Sequence, residues 1–379
     1  MNIDMLVFGE DWGSHPSSTQ HLIKHLLPER EILWVNSLGL RRPRLTRRDM
    51  QRAWKKLLAT LHTSAPTQSS LIRDTLVTPQ QVNPMTLPFP GSQVARTINQ
   101  TLLKNKLLPM LAGNSTKPLL WTSLPSAVDV VGHMGERAAI YYCGDDFSAL
   151  DGVDHEPIAA MEQELADKCQ LVITASNKLA SKFPSGKTFV LPHGVDVELF
   201  NAPTPRASDL PTGKVAGFYG AIAGWFDQTL FINLARILPD WTFVLIGPAN
   251  TDISPLLKEP NIQWLGPKPH SELPSYSQHW DVGLLPFLNN AQIQACNPLK
   301  LREYLAAGSP VVSTDFPTLD GYRDLIKVKQ DAQGFADAIE EIQHYKYHKQ
   351  LLREMRQQRV KRESWVDRAE DLIQVINQL

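Results

Sequence analysis

Asn297-Pro298-Leu299-Lys300-Leu301-Arg302-Glu303-Tyr304-Leu305-Ala306-Ala307-Gly308-Ser309-Pro310-Val311-Val312-Ser313-Thr314 is the stretch on which the fold turns. It spells one short helix with both ends marked, then a strand. Asn297 suits an N-cap, Pro298 suits the first helical position, and Gly308 with Pro310 stops the helix after about ten residues. The unpaired N–H groups and positive dipole end at the helix start favour an anion, diphosphate in particular. Lys300 and Glu303 are three apart and share a face. The ammonium can neutralise phosphate, and the carboxylate one turn deeper can accept hydrogen bonds from sugar or ribose hydroxyls.

Outward from this segment, short apolar runs alternate with helix-length segments, the pattern of α/β units on parallel sheets. The first series has strands at 3–8, 32–35, 119–122, 138–142, 171–175 and 188–191, with helices at 17–27, 93–108, 125–134 and 157–168. Residues 60–92 are rich in Ser, Thr, Gln and Pro and show no clear period. A Pro-rich break at 201–212 reads as a linker. A second series follows, with strands at 215–219, 242–246, 262–265, 282–286 and 311–313 and helices at 228–238, 270–278, 331–344, 348–362 and 364–378.

The 379 residues are 42% hydrophobic and 20% charged, enough for two globular cores, and the net charge of −1 supplies no field for nucleic acid. Charge is uneven, however. Arg41, Arg42, Arg44, Arg47, Arg48, Arg52, Lys55 and Lys56 interleave with Leu45, Met50 and Trp54. This 41–56 stretch reads either as a solvated basic segment or as a peripheral contact with an anionic membrane. Cys143, Cys169 and Cys296 lack metal-ligand or disulfide spacing, which implies reduced thiols and a cytoplasmic chain, at the inner face of the cell membrane if 41–56 binds lipid. No signal peptide or apolar run of spanning length is read in the sequence.

The 297–314 segment resembles the donor-site signature of bacterial GT-B glycosyltransferases of group 1 type, N/S-P-x-K-x-x-E-Y-L-A-x-G-x-P-V-V, and is similar to exopolysaccharide glucuronosyltransferase-type enzymes. The resemblance implies an α/β GT-B fold of two Rossmann-like domains facing across a cleft. Residues 1–200 would hold the acceptor and 213–363 the nucleotide-sugar donor, while the helix of 364–379 would pack back on the first domain. It implies donor binding by Asn297, Pro298, Leu299, Lys300 and Glu303, and by three strand-end glycines, Gly220, Gly247 and Gly266. Many relatives pair the later glutamate with another eight residues earlier. Here that position is Ala295, which removes one support for a retaining mechanism.

The first series carries the candidates for the other half of the chemistry. Tyr141-Tyr142-Cys143-Gly144-Asp145-Asp146-Phe147 sets two carboxylates after an apolar strand, at the edge where sites form in parallel sheets. Attack by a sugar hydroxyl needs a group to take its proton, and Asp146 is the first candidate, Asp145 and His15 its rivals. The polar loop after the first strand offers Asp11, Trp12 and Ser17 to a sugar acceptor, and His193 of Leu191-Pro192-His193-Gly194-Val195-Asp196 offers a further contact. Asp196 and Asp227 read as helix caps. No cofactor is expected, and Asp145 and Asp146, being adjacent, lack the spacing of a metal-binding DxD.

The function these features imply is transfer of a sugar from a nucleotide diphosphate, UDP-linked in the first instance, to a hydroxyl of a carbohydrate or lipid-linked saccharide in cell-surface or exopolysaccharide synthesis. Two other readings share the architecture: a nucleotide-sugar 2-epimerase, which needs no acceptor, and a non-catalytic scaffold subunit.

Overall fold

The computed structural model describes residues 2–14, 17–38, 78–150, 153–344 and 348–379. His15 and the basic 41–56 stretch lie outside the described residues. In chain order the elements are β1 Met5–Phe8, α1 Ser18–Leu26, β2 Ile32–Val35, β3 Gln80–Val82, α2 Gln93–Leu111, β4 Leu119–Thr122, β5 Ala138–Cys143, α3 His155–Lys168, β6 Leu171–Thr174, α4 Asn177–Ala180 and β7 Thr188–Val190. There follow α5 Val197–Asn201, β8 Lys214–Tyr219, α6 Gln228–Ile237, β9 Trp241–Ile246, β10 Ile262–Trp264, α7 Pro274–Ser277, β11 Val282–Leu285, α8 Ala291–Ala295, α9 Leu299–Ala306, β12 Val311–Ser313 and β13 Lys327–Val328. Three helices close the chain: α10 Ala332–His344, α11 Lys349–Val360 and α12 Trp365–Ile376.

Two sheets result, seven strands in the order β3-β2-β1-β4-β5-β6-β7 and six in the order β10-β9-β8-β11-β12-β13. The pairs of β1 with β2 and β4, and of β8 with β9 and β11, are parallel. Strand order therefore reverses between β1 and β4 in one sheet and between β8 and β11 in the other. Crossovers leave such a point on opposite faces, which opens a crevice at the carboxyl ends of the strands. Contact density divides the chain into two units, Met1–Tyr142 with Gly152–Val172 and Leu379, and Cys143–Asp151 with Ile173–Gln378.

In the first unit, β1, β2 and β4 are buried along their whole length, with Trp34 and Trp121 fully enclosed. Runs with no polar alternation belong to strands covered on both faces. The second unit packs β8, β9, β11 and β12 around Phe218, Phe231, Phe243 and Tyr304. The Pro-rich 201–212 stretch is strapped to this unit: the Thr204 and Ala207 amides donate to Gln278 Oε1 and Ser275 O, and Asp209 accepts from the Tyr276 hydroxyl at 2.7 Å.

Two expected helices are broken. At 125–134 only a 3-10 turn, Pro125–Asp129, forms, because Gly132 and Gly135 adopt positive φ. At 270–278, Pro274 lacks an N–H and splits the run into the 3-10 turn His270–Glu272 and α7. β3 and β13 carry only three and two residues and have no period to read.

Candidate functional site

The site is built at the reversal point between β8 and β11. β8 ends in Tyr219 and the chain turns at Gly220, whose φ of 131° few side-chain-bearing residues adopt. A Cβ there would lie 2.0 Å from Lys300 Cε, and one on Gly247, at φ 132°, would lie 2.1 Å from Gly220 O. The Gly220 amide donates to Ile246 O at 2.8 Å and the Gly247 amide to Gly266 O at 2.9 Å, so the ends of β8, β9 and β10 form one rung of bare backbone. Here glycine is demanded by conformation and by space together.

Lys300 lies in the first turn of α9. The helix begins one residue later than its sequence suggests: Pro298 is the N-cap and Leu299 the first of eight helical residues. Asn297 is therefore not the cap. Its buried side chain donates to Ala175 O at 2.5 Å and accepts from Arg302, tying the helix start to the chain after β6. Arg302 in turn makes a buried ion pair with Glu363 at 2.7 Å, and Glu363 also accepts from the Tyr322 hydroxyl. Sequence patterning gave no sign of this strut, because its partners are 61 residues apart.

The half-buried Lys300 ammonium sits 5.4 Å from the Trp225 ring centroid and 5.9 Å from that of Phe218. No carboxylate lies within ion-pair distance of it among the described residues. Burial pulls this ammonium below its ordinary lysine value, and Glu303, Cys296 and Asp145 oppose that from farther off. A cation held over two aromatic faces, at the positive end of a helix and with no ion-pair partner among the described residues, suits an anion.

Glu303, one turn deeper, is buried, and its Oε1 lies 2.8 Å from His270 Nε2. The His270 ring packs edge-on against Phe200 at 5.4 Å. The Tyr219 hydroxyl, fully buried close to Glu303, forms no hydrogen bond of ordinary geometry, and burial first, then Glu303, drives its pKa well above the usual phenol value. Burial pushes the Cys296 thiol up to about 12, so it is no thiolate nucleophile. His270, Tyr219 and Trp225 were not picked out from sequence; only proximity to Glu303 and Lys300 singles them out.

The two carboxylates after β5 part company. Asp146 accepts from Lys182 Nζ at 2.7 Å and from Ser148 Oγ at 2.6 Å. Burial would raise its pKa, but the hydrogen bonds of Lys182 and Ser148 outweigh burial and hold it below the ordinary aspartate value. These contacts favour the charged carboxylate and so lower its affinity for a proton. Asp145 is solvent-exposed and within electrostatic reach of Lys300 and Cys296.

Elsewhere, Asp227 and Asp196 cap α6 and α5, accepting from the Leu230 and Leu199 amides at 2.9 and 3.0 Å. His193 is buried, 6.4 Å from the Trp365 ring, and Gly194 admits no Cβ because Trp365 lies 2.8 Å from that position. Val195 pairs with Ser364, so this turn anchors the start of α12. In the first unit Ser17 caps α1, accepting from the Gln20 amide at 3.2 Å, and Asp11 accepts from Ser37 Oγ at 2.8 Å. Trp12 stands edge-on to Trp34 at 4.7 Å.

Two concavities of the second unit lie away from the glycine rung. One of about 760 Å³ is lined by Asn201, Met355 and Arg359, and one of about 670 Å³ by Pro310, Val311 and Lys327, where β12 and β13 begin. Neither contains Gly220 or Lys300. The polar chemistry, not the volume, identifies the candidate site. No cluster of three or more His, Cys, Asp or Glu side chains able to hold a metal occurs among the described residues, and no described helix is long and apolar enough to cross a membrane.

Residues 213–344 match the family described as Glycosyl transferases group 1. The chain is 32% identical over 243 residues to TuaH of Bacillus subtilis (strain 168), named for teichuronic acid biosynthesis as a glycosyltransferase, covering 57% of this chain and 61% of the relative. It is 26% identical over 254 residues to the D-inositol 3-phosphate glycosyltransferase of Corynebacterium urealyticum (strain ATCC 43042 / DSM 7109), covering 58% and 59%. The chain thus spans about six-tenths of the length of the curated relatives it matches. Among solved structures, Anabaena Alr3699/HepE in complex with UDP superposes with a TM-score of 0.68 at 15% identity over all of both chains. Sucrose-phosphate synthase from Thermosynechococcus elongatus superposes at 0.70 and 15%, over 100% of this chain and 99% of that one.

Proposed function

From a chain of GT-B fold whose residues 213–344 are a group 1 glycosyl transferase domain, we propose that it transfers a sugar from a UDP-sugar to a hydroxyl of a carbohydrate or lipid-linked saccharide, in cell-surface polysaccharide synthesis. One observation carries the reading: the half-buried Lys300 ammonium, with no ion-pair partner among the described residues, lies against the Gly220 backbone at the start of α9. A diphosphate placed there meets the helix N–H groups, the ammonium and bare backbone, with no metal required. This charge stabilises the departing diphosphate more than the bound ground state, so it lowers the barrier to transfer. Glu303 then accepts from the ribose hydroxyls, and the turns at Gly247 and Gly266 flank the base. The relatives support the chemical class: Alr3699/HepE is crystallised with UDP and with UDP-glucose, and TuaH is named for a cell-surface polymer.

Asp145 takes the proton of the attacking hydroxyl while the diphosphate leaves from the opposite face of the anomeric carbon, which inverts the centre. Ala295, standing where a retaining-type glutamate pair has its first member, agrees with this. The acceptor is held by the first unit's Asp11 and Trp12. The 41–56 stretch adds contact with the inner face of the membrane.

Binding and turnover test the reading together. Removing a preorganised charge at a developing anion costs on the order of 3 kcal/mol, about a hundredfold in kcat. Lys300→Ala should therefore lower kcat about a hundredfold and weaken UDP binding measured by calorimetry. A wild-type chain that binds neither UDP nor UDP-glucose would overturn the proposal. Conversion of UDP-sugar without acceptor, followed by NMR, would point to epimerisation instead.

A further inference from the structure

Arg302 and Arg356 are the buried arginines among the described residues, and they are treated differently. Arg302 pairs with Glu363. Arg356, on α11 and 8% exposed, forms no ion pair, and its guanidinium makes a single hydrogen bond among the described residues, from Nη1 to Gly308 O at 3.3 Å. Its Nε–H is enclosed without an acceptor. Burial alone pulls its pKa down to about 10, with no neighbouring carboxylate to oppose the fall, so the group is still a cation at neutral pH. A buried charge without a partner is destabilising unless something outside the chain supplies one.

Arg356 lines the concavity of about 670 Å³ where β12 and β13 begin. That volume falls within the range of small-molecule sites, roughly 300–1,000 Å³. Because β8, β11, β12 and β13 run parallel, this cavity lies at the amino ends of the strands, on the opposite edge of the sheet from Gly220. Its wall is chiefly aliphatic, with Val311, Ile326 and Ile342 facing Leu351, Leu352 and Met355 of α11. Leu351 and Met355, four apart on that helix, are exposed at 57% and 48%. The remaining cations of the wall do not compete for an anion equally. Arg323 is held by Asp315 and Asp320 and Lys327 by Glu341, while the wall carboxylates Asp281 and Asp324 form no ion pair with Arg356. We propose that the cavity binds a small amphipathic anion: a phosphate or carboxylate head pairs with the Arg356 guanidinium, and an apolar body covers Leu351, Leu352 and Met355. Arginine suits such a head, since its planar N–H groups match the oxygens of one oxyanion, and apolar cover adds to the attraction. Neither wall nor head group involves Lys300 or the glycine rung.

Phenyl phosphate is the probe, with inorganic phosphate and phenol as its head and its body alone, each titrated against the full chain by ligand-observed NMR. The wild type should bind phenyl phosphate at least tenfold more tightly than either fragment. Arg356→Met keeps the length and apolar packing of the side chain. It should weaken phenyl phosphate at least tenfold while the melting temperature holds or rises, because an unpaired buried charge has gone. Lys300→Ala should leave this affinity unchanged. Should Arg356→Met fail to fold, Leu352→Glu decides: a carboxylate one turn before Arg356 supplies the counter-charge from within the helix, and the same loss of affinity is expected. No binding by the wild type, equal binding by both variants, or inorganic phosphate binding as tightly as phenyl phosphate overturns the proposal. Loss in Lys300→Ala with retention in Arg356→Met does so too, since the anion would then sit at the start of α9. Failure of the wild type to bind UDP would bear on the proposed reaction and leave this result standing.

Discussion

The two sheets each reverse strand order once, between β1 and β4 and between β8 and β11, and the chain treats the two edges in opposite ways. After β8 it withdraws side chains: Gly220 and Gly247 leave bare backbone, and one ammonium fills the space. After β1 it supplies them. The loop there is knitted by Asp11 to Ser37, by the Trp12 amide to Asn36 Oδ1, and by the Gly13 amide to Gln20 Oε1, with Trp34 wedged beneath Trp12. The lesson concerns what each edge can hold. A diphosphate is recognised by main-chain N–H groups and a charge, which need close approach and no intervening Cβ. A saccharide is recognised by fixed polar groups and an aromatic face, which need side chains held in place.

The comparison breaks most easily at Gly247. Gly247→Val puts a branched side chain against Gly220 O at a φ that valine does not adopt. UDP affinity measured by calorimetry should fall at least a hundredfold, about 3 kcal/mol. An unchanged affinity would mean that the ligand does not use the rung.

The paired carboxylates come next. Asp145→Asn should lower kcat by about 10²-fold or more at constant UDP affinity, the usual contribution of a general base. Asp146→Asn should leave kcat nearly intact and instead cost stability of about 1 kcal/mol, for a partly shielded ion pair with added hydrogen bonds. Since the folded-state pKa of Asp146 is depressed, its contribution is fully present above the ordinary aspartate value. It is lost as pH falls through the lower folded one. Melting temperatures of wild type and D146N should therefore differ at neutral pH and converge in acid. The opposite assignment, with D146N inactive and D145N active, would restore Asp146 as the base.

The smallest effect is expected on the other edge. Asp11→Ala removes the acceptor for the Ser37 amide and hydroxyl, at about 1 kcal/mol of stability. The acceptor KM should rise a fewfold while UDP affinity is untouched. A change in UDP affinity would contradict the division between the two edges.

Much of this was open to sequence reasoning where the signal is local. β2, β4 and β12 fall where the apolar runs place them, as does the start of α6 behind the Asp227 cap, because period and capping are written in adjacent residues. The failures had two origins, one long-range and one local. Pro298, not Asn297, caps α9, since Asn297 is drawn away by Ala175 and Arg302. The predicted helices at 125 and 270 gave way to glycines at positive φ and to Pro274. The site divides the same way. Lys300 and Glu303 were evident on one helix face, whereas His270 beside Glu303 and Trp225 beneath Lys300 were not.

By itself the sequence determined two α/β series, a helix able to meet an anion, and the residue types available for transfer. These follow from hydrophobic period, capping chemistry and glycine placement, each acting over a few residues. Only the tertiary structure decided that Lys300 rests on Gly220, eighty positions away, that Asp146 is occupied by Lys182, and that Arg356 is buried with no ion-pair partner among the described residues. Those outcomes depend on sheet order and on which residue wins a shared partner. Competition between residues distant in the chain has no local signature.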